Sequence, residues 1–317
     1  MTPSPESCYC ALIRQPVPSV ARLAGLVLVV ALMPVTVAPS HAWSADGHRL
    51  VARLATASTP ADLPDFFRGG SERVAAFSIE PDVLRLRDTP HLRAREYPEH
   101  YLDSELLDGA VLPDSRSVFL ELLQRKSLAP TAVGMLPYAI VEATEHLAIA
   151  FAEHRARPDD VDIRTKALYL AGVLSHYSAD LSQPLHTTIH HNGRARPDMS
   201  SPRTGIHELV DSLLTRTAVR FSPRPGTPWP QPFVDLFAAV ENALAESYSQ
   251  VDRVYELESA LEWGTDPIPP GKIREFATER LTKSVLFTAR LFATAWSMSE
   301  DLELPQWRFG DRRPASD

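Results

Sequence analysis

Apolar residues recur every three or four positions along most of the chain, the spacing that places them on one face of an α-helix. Between Leu136 and Glu153 the repeating apolar positions are Leu136, Ile140, Ala143, Leu147 and Phe151. Comparable repeats run from Arg164 to Ala179, from Phe233 to Leu261 and from Lys272 to Ser299. No run of alternating apolar and polar residues predicts a β-sheet. The pattern therefore predicts an all-α fold.

Residues 1–42 have the features of a secretory signal peptide. Arg14 and Arg22 precede an apolar run from Leu23 to Val37, and Ser40-His41-Ala42 places small residues at the two positions that a signal peptidase reads. The run is shorter than the roughly 20 apolar residues of a membrane span and contains Pro34. We expect cleavage after Ala42, which makes the mature protein secreted or periplasmic. The long segment before the apolar run leaves open a start of translation downstream of Met1.

The expected mature chain, residues 43–317, has no segment that resembles an interdomain linker, so one domain is predicted. Both cysteines of the chain, Cys8 and Cys10, lie in the signal segment. The mature domain is therefore expected to bind metals through His, Asp, Glu and backbone groups only. The formal net charge of the full chain is -8. This charge argues against a strong electrostatic attraction to nucleic acid, but not against a nuclease whose metal ions attract the phosphate.

The segment from Ser175 to His186 concentrates residues that bind metals. His176 and Asp180 are four residues apart, which places both side chains on one face of a helix. Pro184 interrupts that helix, and His186 can then point in a new direction. A single pair of this kind is often incidental on an amphipathic helix. Three such residues in one short segment indicate a metal site at the end of the helix.

A second His and Asp pair with the same spacing, His207 and Asp211, follows a loop rich in Pro, Gly, Ser and Arg. Asp82 and His100 are the next candidate ligands, and Asp88 and His91 compete with them for the same roles. His190 and His191 are expected at the rim of the site, because adjacent side chains diverge in direction. His146 and His154 are expected to be surface or core residues outside it.

Cleavage after Ala42 would make Trp43 the first residue of the mature protein. Its free α-amine and its carbonyl oxygen could then chelate a cation, and His48 follows five residues later. The alternative is that Trp43 is only an aromatic anchor beneath the first helix. The coincidence of the cleavage site, the tryptophan and the nearby histidine favours a metal site.

The order of these groups resembles the zinc-dependent phospholipase C and S1/P1 nuclease family over essentially the whole mature chain. The segment His176-Tyr177-Ser178-Ala179-Asp180, with Gln183-Pro184-Leu185-His186 after it, is the most specific part of the resemblance. The resemblance implies a single compact multi-helix domain of the phospholipase C/P1 nuclease type, with three zinc ions in a cleft. The implied ligands are Asp82, His100, His176 and Asp180 for one zinc, His186, His207 and Asp211 for a second, and Trp43, His48 and the shared Asp180 for a third.

The resemblance also implies hydrolysis of a phosphate ester. Asp180 would bridge two zinc ions, and Asp103 would orient the attacking water or move its proton. Tyr97, Tyr101 and Asn192 are the candidate contacts with substrate. An aromatic side chain at position 97 could face a choline cation or stack on a base.

Two branches of the family remain possible for this chain. The short spacing from Trp43 to His48 and the aspartate at position 211 are nuclease-like, which favours single-stranded nucleic acid as the substrate. The Gly-Gly-Asn element of the nucleases is absent, and Asn192-Gly193 replaces it poorly. The alternatives are a phospholipase C and a secreted zinc-binding protein without activity. The chain indicates no dedicated protein partner, and a monomer is expected.

The role of the N-terminus leads to a first prediction. A protein that keeps Gly-Ser before Trp43 should lose one zinc ion and most of its activity, because an amide nitrogen cannot donate a lone pair to a metal. Trp43→Ala should keep the amine and carbonyl chelate if cleavage still follows Ala42. Zinc content by elemental analysis, with turnover, distinguishes the two proteins. Equal zinc content and turnover for the extended and native N-termini would leave Trp43 as an anchor alone.

Overall fold

The computed structural model describes residues 43–217, 219–221, 230–261 and 271–309. Its α-helices are α1 Ala45–Ala57, α2 Asp65–Arg68, α3 Ser71–Phe77, α4 Glu80–Val83, α5 Pro90–Glu96, α6 Arg116–Arg125, α7 Pro130–Val133, α8 Leu136–Ala156, α9 Val161–Leu181, α10 Ile206–Asp211, α11 Leu213–Arg216, α12 Leu236–Tyr248, α13 Val251–Leu257 and α14 Lys272–Met298. Short 3₁₀-helices lie at Tyr97–His100, Ser104–Leu107, Pro184–His186, Glu258–Ala260 and Gln306–Phe309. The predicted signal segment, 1–42, lies outside the described residues.

The described residues form no β-strand, and isolated bridges join only Leu102 to Gly134 and His191 to Gly193. The predicted all-α fold is therefore confirmed. None of the described helices is both long and apolar enough to cross a membrane.

The core forms between the long helices α8, α9 and α14, with α1 packed against α9 and α14. On α8 the predicted apolar face from Leu136 to Phe151 is buried. On α14 the predicted inward positions from Leu281 to Ala295 are buried as well. Helix α9 packs against α1, α8 and α14, and the residues of its last two turns are buried on every side. Polar residues in those turns are therefore removed from water and need partners within the protein.

Helix α9 begins and ends where local chemistry requires it. The Asp160 carboxylate accepts hydrogen bonds from the backbone N–H groups of Asp162 and Ile163, at 3.0 and 3.2 Å, and caps the N-terminus. The helix ends at Leu181, and Pro184 opens a 3₁₀ turn to His186. The predicted interruption at the proline is confirmed, and it separates the directions of the histidines before and after it.

The segment from Phe233 to Leu261 is not one helix, as its periodicity had suggested. It forms α12 and then α13, with Ser249 and Gln250 between them. Neither proline nor glycine marks this break, so no local signal reveals it. Helix α13 buries Val251 and Val254 and contacts the 3₁₀ turn at Pro184–His186. Packing against that turn accounts for the change of direction, which a continuous helix would not achieve.

Candidate metal centre

The Asp180 carboxylate lies at the centre of the site and is fully buried on α9. Its Oδ1 is 3.3 Å from Nε2 of His48 on α1. Its Oδ2 is 3.0 Å from Nδ1 of His100 and 3.4 Å from Nε2 of His176. The rings of His48 and His176 stack with 3.9 Å between their centroids. One carboxylate therefore faces three imidazoles that three different segments supply.

Asp82 joins this cluster from α4. Its Oδ1 is 3.9 Å from Nε2 of His176, and it forms an ion pair with Arg85. Asp88 and His91, the competing candidates, are both exposed. The structure thus brings Asp82, and neither alternative, beside His100 and His176.

A further group consists of His186, which follows Pro184, and the pair His207 and Asp211 on α10. Nε2 of His186 is 3.1 Å from Nε2 of His207, and that atom is 3.5 Å from Oδ2 of Asp211. The Asp211 Oδ1 atom accepts a hydrogen bond of 2.7 Å from the Gln183 amide. All three candidate ligands are buried.

Backbone carbonyl groups orient three of the imidazoles. Nδ1 of His176 donates to the Ser78 carbonyl at 2.7 Å, Nδ1 of His186 donates to the His100 carbonyl at 2.5 Å, and Nδ1 of His207 donates to the His191 carbonyl at 2.9 Å. In a neutral imidazole the opposite nitrogen then carries a lone pair and no hydrogen. This is the second shell that commonly orients histidine ligands toward a metal.

The facing Nε2 atoms of His186 and His207 are the clearest sign of a cation site. Neither atom can donate to the other when both Nδ1 atoms carry hydrogen, so two lone pairs would face each other at 3.1 Å. A cation between them turns that repulsion into two favourable contacts. Ligands on a tetrahedral zinc ion, with Zn–N near 2.0–2.1 Å, lie about 3.3 Å apart. The ligand separations here, from 3.0 to 3.9 Å, bracket that value.

Several buried polar atoms of the cluster lack a hydrogen-bond partner within the described residues. They are Nδ1 and Nε2 of His48, Nε2 of His100, Oδ1 of Asp180 and Oδ2 of Asp211. Buried polar groups are normally paired, because an unpaired group costs about 1–3 kcal/mol. The unpaired atoms and the donor set together fit metal binding. The buried His and Asp groups could therefore hold a metal ion.

Burial also sets the protonation of the cluster. It lowers the pKa of His48, His100 and His207 well below the usual range, which keeps these imidazoles neutral and able to bind a metal near neutral pH. Burial raises the pKa of Asp180 and Asp211 well above the usual carboxyl range. Ionised carboxylates are thus costly here, and bound cations would offset that cost.

Trp43 is fully buried, and its indole N–H donates to the Ala179 carbonyl at 2.9 Å. The backbone N–H of Ser44 donates to the Asp211 carbonyl at 3.0 Å. The indole therefore anchors the chain beneath α1, and the backbone at residues 43–44 runs beside both ligand-bearing helices. Coordination by the Trp43 amine stays a prediction.

A cavity of about 250 Å³ opens beside the ligand groups. Its lining includes the ligands His100, His186 and His207 together with Tyr97, Tyr101 and Asp103. Burial, and then the nearby charge of Glu105, raises the pKa of Asp103 to about 7. Asp103, the predicted proton-transfer group, and the predicted substrate contacts Tyr97 and Tyr101 thus line the same cavity as three candidate ligands.

Asn192 lies in the loop before α10, and its side-chain oxygen accepts from the Gly205 N–H at 2.7 Å. This contact orders the loop, and the expected contact with substrate stays a prediction. His191 lines the cavity, whereas His190 accepts from the Ala195 N–H at 2.8 Å. His146 is exposed, and His154 is buried with its ring 4.5 Å from that of Phe66. Neither belongs to a ligand group.

Two residues of the site were missed from the sequence. Gln183 donates to Asp211 and also accepts from the Leu185 N–H at 2.6 Å, which links the proline turn to α10. Arg85 lines the cavity and pairs with Asp82 three residues earlier. The three-residue spacing of Asp82 and Arg85 could have indicated the ion pair. Arginine is common on polar helix surfaces, however, so this spacing alone does not single out Arg85.

Metal removal leads to a second prediction. Binding of a metal to the folded state alone stabilises that state by mass action, and the ligands come from separate segments that the metal would hold together. A chelator in excess should therefore lower the melting temperature, and addition of zinc should restore it. Differential scanning calorimetry measures the shift. The Asp159→Asn variant, changed at a fully exposed carboxylate, should respond as the wild type does. Identical melting curves with and without chelator would contradict a metal centre.

Neither a scan against protein-family models nor a search of curated proteins finds a match for this chain. What the protein does must therefore be argued from its own residues and their geometry.

Proposed function

We propose that the protein is a secreted zinc-dependent phosphodiester hydrolase, with single-stranded nucleic acid as the favoured substrate and three zinc ions in its site. The observation that carries this proposal is a cavity that Asp103 and Arg85 line together with His100, His186 and His207, which belong to two of the buried His and Asp ligand groups. The order of the ligands along the chain resembles the zinc-dependent phospholipase C and S1/P1 nuclease family, as described above.

The donor set supports zinc. It consists of imidazole nitrogens and carboxylate oxygens with separations near those of a tetrahedral site. All-oxygen sites suit magnesium or calcium instead. His48, His176 and Asp180 form one group, Asp82, His100 and His176 a second, and His186, His207 and Asp211 a third. By the resemblance, His48 and the shared Asp180 of the first group would hold one zinc together with the Trp43 amine and carbonyl. Zinc supplies Lewis acidity toward a phosphate and lowers the pKa of water at the site.

The chain's own residues account for the remaining chemistry. Arg85 lines the cavity, and its guanidinium, which pairs with Asp82 through Nη2, has further N–H groups that could donate to a phosphate oxygen. Asp103 lies across the same cavity with a pKa of about 7, so it can accept a proton from water and release it again near neutral pH. Tyr97 and Tyr101 supply an aromatic wall for the group attached to the phosphate. Asp180 shares its two oxygens among three imidazoles, which suits a carboxylate that bridges two cations.

An activity panel tests the proposal. Mature protein with the native Trp43 terminus and zinc should hydrolyse single-stranded DNA and RNA faster than 3'-nucleotides or phosphatidylcholine. Asp180→Asn keeps the shape of the side chain but removes its charge, so it should lose roughly one or more zinc ions and several orders of magnitude in rate. Asp159→Asn serves as the control. Full zinc content without turnover of any ester would instead favour a zinc-binding protein, and preferred cleavage of phosphatidylcholine would favour a phospholipase C.

Asp103 leads to a fourth prediction, on pH. Its pKa rises from the ordinary 3.8 to about 7 in the folded chain, so the folded state binds this proton more tightly than the unfolded state does. The resulting loss of stability grows between those two pH values and is complete above about 7. Metal-free Asp103→Asn should therefore melt at a higher temperature than metal-free wild type at pH 8, and the difference should vanish near pH 4. With zinc the same variant should lose about 10²–10⁴ in rate. A stability difference that is equal at both pH values would contradict the raised pKa.

A further inference from the structure

The aromatic wall of the cavity already carries a cation. The Arg93 guanidinium lies 4.9 Å from the centroid of the Tyr97 ring, a cation–π contact. A hydrogen bond also fixes this guanidinium, because Nη1 of Arg93 donates to the Arg85 carbonyl at 2.6 Å. Tyr97 in turn packs edge-on against Tyr101, with 5.7 Å between the ring centroids. Arg93, Tyr97 and Tyr101 thus form one layer, and its two tyrosines line the cavity.

We propose that Arg93 is a specificity-determining residue, which reserves the Tyr97 wall for an uncharged planar group such as a nucleobase and disfavours a quaternary ammonium group. This inference rests on the proposed phosphodiester hydrolysis and names the kind of ester that the site takes. A ring that binds a quaternary ammonium group uses the negative charge of its π-face. The Arg93 guanidinium already binds the π-system of Tyr97. A quaternary ammonium group on the same ring would therefore be repelled by the positive charge of Arg93.

The other charges around the cavity act in the same direction. Arg85 lines it, and the Arg203 charge contributes, after burial, to the lowered pKa of His191, which also lines the cavity. Among the described residues that line the cavity, Asp103 carries the only carboxyl group. Carboxylates that would attract an ammonium group are therefore scarce, whereas guanidinium groups suit an anionic phosphate.

A pair of ligands that differ by one charge tests the inference directly. Phosphocholine and 3,3-dimethylbutyl phosphate have nearly the same shape, but only the first carries a quaternary nitrogen. Titration calorimetry with zinc-loaded mature protein should show tighter binding of 3,3-dimethylbutyl phosphate, whose alkyl group carries no charge. Arg93→Gln should reduce this preference about threefold to tenfold, the range expected for a cation–π contact of this exposure. Arg93→Met, which keeps the unbranched stem, should reduce it equally and provides a second variant if the first folds poorly.

Arg95→Gln is the matched control. It lies on the same helix α5 and loses the same charge, but its side chain is 74% exposed and pairs with Glu96 rather than Tyr97. It should leave the preference unchanged, and Arg93→Lys, which keeps the cation, should largely preserve it.

The inference is overturned if the wild type prefers phosphocholine, if neither ester binds, or if Arg93→Gln and Arg95→Gln change the preference equally. Turnover of the p-nitrophenyl diesters of the same two groups separates this inference from the proposed function. Absence of turnover of these diesters and of single-stranded DNA and RNA, with zinc bound, refutes the hydrolase, while the binding preference still decides the role of Arg93.

Discussion

The burial of Asp180 is the constraint on which the site depends. A carboxylate with no solvent exposure costs several kcal/mol unless its charge is balanced. Ring nitrogens of His48, His100 and His176 lie 3.0–3.4 Å from the Asp180 oxygens, and each histidine comes from a different part of the sequence. Burial lowers the pKa of His48 and His100, so these two imidazoles are neutral and cannot balance the charge themselves. A cation bound beside Asp180 would stabilise the ionised carboxylate, which burial otherwise disfavours.

The helices around this cluster serve to hold lone pairs in fixed directions. Carbonyl groups of Ser78, His100 and His191 each accept from one ring nitrogen and leave the other without a hydrogen. These carbonyls lie outside the α-helices, at the end of α3, at the end of the 3₁₀-helix Tyr97–His100 and in a loop, where backbone groups are free to bond side chains. Gln183 does the same for Asp211. A metal centre of this kind is as much a product of loops and turns as of the long helices.

The cavity beside the cluster is lined by two kinds of side chain, charged groups and aromatic rings. The proposed phosphodiester hydrolysis would need positive charge near the phosphate and a group that exchanges protons near neutral pH, and Arg85 and Asp103 line the cavity as candidates for these two roles. Selection among esters would need contacts with the group beyond the phosphate, and Tyr97 and Tyr101 line the same cavity, with Arg93 over the Tyr97 ring. The proposed role of Arg93 follows from a contact between neighbouring turns of the chain rather than from the metal ligands.

The sequence by itself determined the helices and the ligand pairs, because both depend on local spacing. A repeat of 3.6 residues places apolar side chains on one face, the i,i+4 spacing aligns His176 with Asp180 and His207 with Asp211, and a proline must interrupt a helix. Only the tertiary structure decided which of Asp82 and Asp88 reaches the cluster, where the segment from Phe233 to Leu261 breaks, and which cations border the cavity. Those outcomes depend on contacts between residues far apart in the chain, about which local spacing carries no information.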